Sequence, residues 1–177
     1  MNKIVVLCIL LMSVMISCKE EVPSEPYAVP ENAVYLLTAD SVKTWKIARR
    51  YNGKTRMNME GCFLGYRQRF RTSAALSINS SGTVTDNNGE LRNCGPSLEA
   101  TWEITTSDKG DTYLKFTSDQ IPELLGQESN EKFFKILHIS KDSLTLSFVH
   151  KQFNKRRRIT DYLVREDLEV ADRDFHW

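Results

Sequence analysis

Two ionisable side chains, Lys135 and His150, stand at regular spacing inside an otherwise apolar pattern. They belong to KFFKILHIS (132–140) and SLTLSFVH (143–150), and the Lys141-Asp142 pair between these runs reads as a turn. A tight turn there sets Ile139 opposite Leu144, Leu137 opposite Leu146, Lys135 opposite Phe148 and Phe133 opposite His150. One face of the hairpin is then apolar, with an ammonium and an imidazole near its far end. A few polar anchors in an apolar wall are the usual makeup of a small-molecule site. A second reading leaves the ends of the hairpin in solvent, where Lys and His are ordinary. His138 falls on the opposite face, beside Ile136 and Thr145, and reads as exposed or half-buried.

Other reactive types are sparse. The chain has no HExxH, no Gly-x-Ser-x-Gly and no cysteine–histidine arrangement, so no catalytic constellation is expected and no cofactor. The chain of 177 residues is long enough for one domain. It is 41% hydrophobic and 10% aromatic, and its formal net charge is +1. That near-zero balance argues against nucleic acid as a partner, which calls for a basic excess.

The N-terminus differs in kind. A short positive start, Met1-Asn2-Lys3, precedes thirteen mostly apolar residues from Ile4 to Ile16. That length suits a signal-peptide core and is too short to span a membrane. The run ends in MISC, which resembles a bacterial lipobox, with Ser17 in the small position and Met15 where leucine is usual. The resemblance implies cleavage after Ser17 and lipid on Cys18, hence a membrane partner. More than one acyl chain makes such an anchor firm. Of the 24 basic side chains Lys3 alone would leave, so 23 would face 23 acids. Residues 18–35 are expected to form a tether, because Pro23, Pro26 and Pro30 oppose regular structure. Lys19, where aspartate commonly marks inner-membrane retention, points to the outer membrane. The Lys19-Glu20-Glu21 triplet resembles a surface-export tag, and the face of that membrane stays open.

With Cys8 in the signal and Cys18 lipidated, Cys62 and Cys94 remain. An even pair in an oxidising compartment reads as a disulfide. The rival reading, two thiols of a metal site, lacks a His or Cys at ligand spacing, so no metal is expected.

From about Leu37 onward the pattern is β. TWKIARRY sets Trp45 and Ile47 against Lys46, Ala48 and Arg50. AALSI, TVTD, EATWEITT, TYLKFT, the two arms of the hairpin described above and RRRITDYLVR complete eight strands. Consecutive hairpins imply an antiparallel meander, and eight strands with one apolar face close into a small barrel. A two-sheet sandwich is the competing architecture. CFLGYRQRFR (62–71) reads as a long connection, an ordered flap whose Phe63, Tyr66 and Phe70 line an entrance, or else fold onto the sheet. The basic run HKQFNKRRR offers Lys151, Lys155, Arg156, Arg157 and Arg158 to lipopolysaccharide phosphates or an acidic envelope partner. Its simpler reading is a solvated loop, with one arginine packed across Trp45. The tail, residues 167–177, reads as a turn of helix anchored by Phe175 and Trp177.

The segments LLTADSVKTWKI, ALSINSSGTVTDNNGELRNCGPSLEATWEI and ISKDSLTLSF together resemble lipocalin-like lipoprotein domains, over residues 36–166. Lys43-Thr44-Trp45 stands where true lipocalins carry Gly-x-Trp. The resemblance implies an all-β, eight-stranded antiparallel up-and-down barrel with a short N-terminal helical turn, closed at the bottom by Trp45. It also implies binding of a small hydrophobic or amphipathic ligand. Candidate pocket residues are Trp45, Trp102, Phe116, Phe133, Lys135, Leu137, Leu146, Phe148 and His150. The alternative is a fully packed barrel whose outer face meets an envelope protein or glycan.

Overall fold

A computed structural model describes residues 25–80, 82–85, 88–152 and 155–176. The signal segment, Cys18, the 19–21 triplet and Trp177 lie outside the described residues. The elements are α1 (Ala33–Thr38), β1 (Val42–Asn52), β2 (Thr55–Arg56), α2 (Cys62–Gly65), β3 (Tyr66–Arg71), β4 (Ala75–Ser80), β5 (Thr83–Thr85), β6 (Leu91–Asn93), β7 (Leu98–Thr106), β8 (Thr112–Thr117), α3 (Ile121–Leu125), β9 (Glu131–Ile139), β10 (Ser143–Gln152) and β11 (Lys155–Arg165).

Eight strands, β1-β3-β4-β7-β8-β9-β10-β11, pair in that order, every pair antiparallel. Pairing of β11 with β1, from Trp45↔Arg165 to Asn52↔Ile159, closes the barrel. Closure removes the free sheet edges that an open meander would present. β2 adds to the far half of β1, and β5–β6 form a separate ribbon. Eight strands are as expected, but one member differs. Of TVTD, Thr83–Thr85 pair with β6 outside the barrel, and the expected flap supplies β3 instead. In β3 the alternation is Tyr66, Gln68, Phe70 inward against Arg67, Arg69, Arg71. A polar Gln68 at an inward position hides that period.

Two β-bulges decide which side chains face inward. A bulge adds one residue to one strand and reverses the facing of everything beyond it. In β1 the register shifts between Ile47 and Arg49, so Ile47 and Ala48 are both buried. Arg50, expected to share a face with Lys46, turns inward. In β9 the partners run Thr145↔His138 and then Leu146↔Ile136, leaving Leu137 as the extra residue.

The two ends of the barrel are closed differently. At one, α1 seats Leu37 over the strands, and Trp45 beneath it donates from Nε1 to Leu37 O at 3.1 Å. Lys43 Nζ lies 4.3 Å from the Trp45 ring centre and donates to Leu36 O and Lys141 O. The cation at Trp45 is therefore Lys43, and the expected arginine is absent: Arg156, Arg157 and Arg158 are exposed at the opposite end. Tyr27, within the expected tether, docks here and exchanges two 3.2 Å hydrogen bonds with the backbone of Ile139. At the other end, a Cys62–Cys94 disulfide ties α2 to the segment before β7. Gly61, at φ +50, lies where any side chain would collide with Val84. The tail forms turns instead of a helix. Arg173 Nε donates 2.6 Å to Ile47 O at the β1 bulge, and Nη2 donates 2.9 Å to Leu64 O. Phe175 lies under the Arg56 guanidinium, 4.0 Å from ring centre to Cζ.

Candidate functional site

The open end of the barrel holds a chamber of about 530 Å³. Its walls are the inward side chains where the strands approach that end: Ile78 of β4, Leu98 of β7, Phe116 of β8, Phe134 of β9, Phe148 of β10 and Ile159 of β11. α3 lies across the opening with Ile121, Leu124 and Leu125, and Phe63 of α2 faces it. α3 forms because Pro122 sits in the first turn, where its missing N–H costs nothing, and Gly126 ends it in the left-handed region.

A polar cluster stands in this apolar wall. Arg50 reaches Asp161 in a bidentate pair, Nε to Oδ1 at 2.5 Å and Nη2 to Oδ2 at 2.6 Å. Asp161 is 2% exposed. Burial opposes the Arg50 charge, but the hydrogen bond and charge of Asp161 outweigh it and raise its pKa. Arg50 Cζ also lies 4.6 Å from the Phe63 ring centre. The Tyr66 phenol accepts from Gln68 Nε2 at 2.8 Å, which leaves its own proton for another acceptor. Burial pushes its pKa up to about 12, against the Gln68 hydrogen bond and the Arg50 charge, which lower it. Gln68 Oε1 is buried with no hydrogen-bond partner among the described residues. Such a group invites an explanation, since buried acceptors are normally satisfied.

Toward the rim stand Lys132 and His150. Burial lowers the Lys132 pKa. Burial, with the charges of Lys132 and Arg50, lowers that of His150, which favours neutral imidazole. The cluster offers a neutral phenol, a compensated ion pair and a lysine. These are groups for holding a ligand.

The expected pocket residues divide into three sets. Phe116, Phe148 and His150 line the chamber. Trp45, Trp102 and Leu146 are buried core. Phe133, Lys135 and Leu137 lie outside the barrel, contrary to expectation: Phe133 is 44% and Leu137 38% exposed. Lys135 faces Ser147 instead of Phe148 and pairs with Asp111 at 2.6 Å. The bulge at Leu137 is the physical reason, because it exchanges the two faces of β9 and turns Phe134 and Lys132 inward. Of the flap aromatics, Phe63 and Tyr66 line the chamber, whereas Phe70 is buried beside Trp102, ring centres 5.6 Å apart. Lys151, Lys155, Arg156, Arg157 and Arg158 are exposed on the β10–β11 hairpin beside the opening. Sequence reasoning missed Arg50, Asp161 and Lys132. Two consecutive small or apolar residues, Ile47-Ala48, before Arg49-Arg50 were the available sign of a bulge.

No family model matches the chain, and no curated protein matches it. Solved structures of similar shape exist. One is a lipocalin-like protein from Bacteroides uniformis, 12% identical, covering 67% of this chain and 94% of its own, TM-score 0.37. Another is bovine odorant binding protein complexed with its natural ligand, 12% identical over 82% of this chain and 81% of its own, TM-score 0.40. A third is lobster apocrustacyanin A1, 14% identical over 86% and 79%, TM-score 0.34. The barrel assignment itself rests on the strand order and closure described above.

Proposed function

We propose that this protein is a lipid-anchored envelope protein whose barrel holds a small apolar or amphipathic molecule. The observation that carries the binding reading is the chamber of about 530 Å³, apolar in its walls and polar at Arg50, Asp161 and Tyr66. Its size lies within the range of small-molecule sites. A fully packed interior would leave no such volume. The anchor reading rests on Cys18 behind its apolar run, and outer-membrane placement on Lys19.

The chain from Lys19 to Trp177 carries every described element. Purified from a lipid-rich host, it is expected to show an added mass in native mass spectrometry that leaves on denaturation. A bare mass, with no uptake of a neutral hydrophobic probe, contradicts the binding reading. For the anchor, cells fed an alkyne fatty acid should label the full chain but not Cys18→Ser. Equal labelling of both removes that part.

A further inference from the structure

The wall of the barrel is not continuous. β9 and β10 pair only from Leu144↔Ile139 to Ser147↔Lys135. Both strands run on toward the open end, β9 back to Glu131 and β10 forward to Gln152, without further pairing to each other. Each remains paired on its other side, β9 to β8 and β10 to β11. The result is a seam. Phe134 and Phe148 stand on its inner side with ring centres 4.9 Å apart. Lys132 crosses it, donating from Nζ to Val149 O at 2.8 Å. Outside the seam lies a groove of about 610 Å³, with Tyr113, Phe133 and Val149 among its walls. Lys132 and Phe148 belong to both the groove and the inner chamber.

Lys132 is the cation that the groove and the chamber share, although the outer groove also carries Arg158 and the carboxylates Asp111, Glu128 and Glu131. Arg50 is neutralised by Asp161, and on the outer side Lys135 is paired with Asp111 and Lys115 with Glu131. Among the described residues no carboxylate lies within ion-pair distance of Lys132. Its ammonium has three donors, and one is used on Val149 O. A half-buried cation without a counter-ion is costly, and buried charges are normally paired. Lysine is a point charge that suits a carboxylate or phosphate without demanding one approach direction.

Building on the ligand-binding reading, we propose that the ligand is a single-chain amphiphile with an anionic head. It lies through the β9–β10 seam, its head on Lys132 and its chain in the chamber. The head supplies the missing counter-charge, and the chain covers Phe134 and Phe148.

The test titrates a naturally fluorescent polyene fatty acid and its methyl ester into the Lys19–Trp177 chain, as wild type, Lys132→Met and Lys132→Arg. The wild type is expected to prefer the acid by about tenfold or more, the worth of one partly buried charge-assisted hydrogen bond. Lys132→Met should lose that preference, and a denaturant unfolding transition matching the wild type shows that it is folded. Lys132→Arg should keep it. Equal affinity for acid and ester in the wild type, or an undiminished preference in Lys132→Met, overturns the proposal while leaving the chamber reading intact. Uptake of neither probe by the wild type overturns both. A stearate spin-labelled near its carboxylate locates the head. Broadening of the Phe133, Phe134 and Val149 amide signals is expected, and broadening confined to α3 rules out the path through the wall.

Discussion

The two ends of one barrel are built from the same strands and the same alternation, yet one is full and the other hollow. At the closed end Trp45, Phe70, Leu114, Ile139, Leu144 and Leu163 are all buried in one cluster. Inward polar groups there find backbone partners: Trp45 Nε1 on Leu37 O, Lys43 Nζ on Leu36 O and Lys141 O, Thr38 Oγ1 on Val34 O. At the open end Arg50 pairs with Asp161 and Gln68 with Tyr66, side chain to side chain, and Phe63, Phe134 and Phe148 stand around space. Closed-end contacts serve stability, and open-end contacts hold a shape. The same substitution should therefore cost different amounts at the two ends.

The largest effects test that contrast directly. Trp45→Ala should cost about 3–5 kcal/mol, the loss typical of a fully buried tryptophan, measured by denaturant unfolding. Arg50→Met should cost a similar amount for a different reason, since it strands the buried Asp161 carboxylate; about 3–5 kcal/mol is typical. The double variant Arg50→Met/Asp161→Leu should recover most of that loss. If it does not, the pair is more than mutual neutralisation. Next comes the disulfide. Cys62 and Cys94 are 32 residues apart, and Cys62→Ala/Cys94→Ala should cost about 3–4 kcal/mol in the chain-entropy account. Smaller still is Phe148→Ala, about 1–2 kcal/mol, because its ring already borders open space and leaves little new cavity. A cost equal to that of Trp45→Ala would mean the chamber is packed.

The remaining effects are in pH. Tyr66 titrates at about 12 in the fold against 10.0 ordinarily. The folded state therefore keeps this proton when the unfolded state loses it. The stability linked to Tyr66 is fully present below pH 10 and falls as pH rises toward 12. Tyrosinate absorbance should show one late phenol, absent in Tyr66→Phe. His150 runs the other way. Its lowered pKa means neutral imidazole is favoured, so its share of stability is present above the ordinary histidine pKa and is lost on acidification. His150→Gln should flatten the acid limb.

The architecture was legible where alternation was uninterrupted. β7, β8 and β10 keep period two, and Trp102, Leu114, Phe116 and Leu146 face inward as read. It was not legible where backbone irregularity changes parity. The bulge in β9 sent Phe133, Lys135 and Leu137 outward, and the one in β1 brought Arg50 in. Bulges are stabilised by distant partners, here Arg173 on Ile47 O, which no local pattern reveals. β3 was hidden because arginine fills its outward positions and Gln68 one of its inward ones. The candidate site sits beyond both bulges, which is why it was less legible than the fold.

The most direct test of a hollow open end is titration with the neutral probe N-phenyl-1-naphthylamine, of the wild type beside Leu98→Trp. Leu98 lines the chamber and is partly buried, so an indole there fills the space. Saturable one-to-one binding by the wild type, lost in Leu98→Trp with unfolding unchanged, is the predicted result. Absence of binding by the wild type, or equal binding by both proteins, would contradict it.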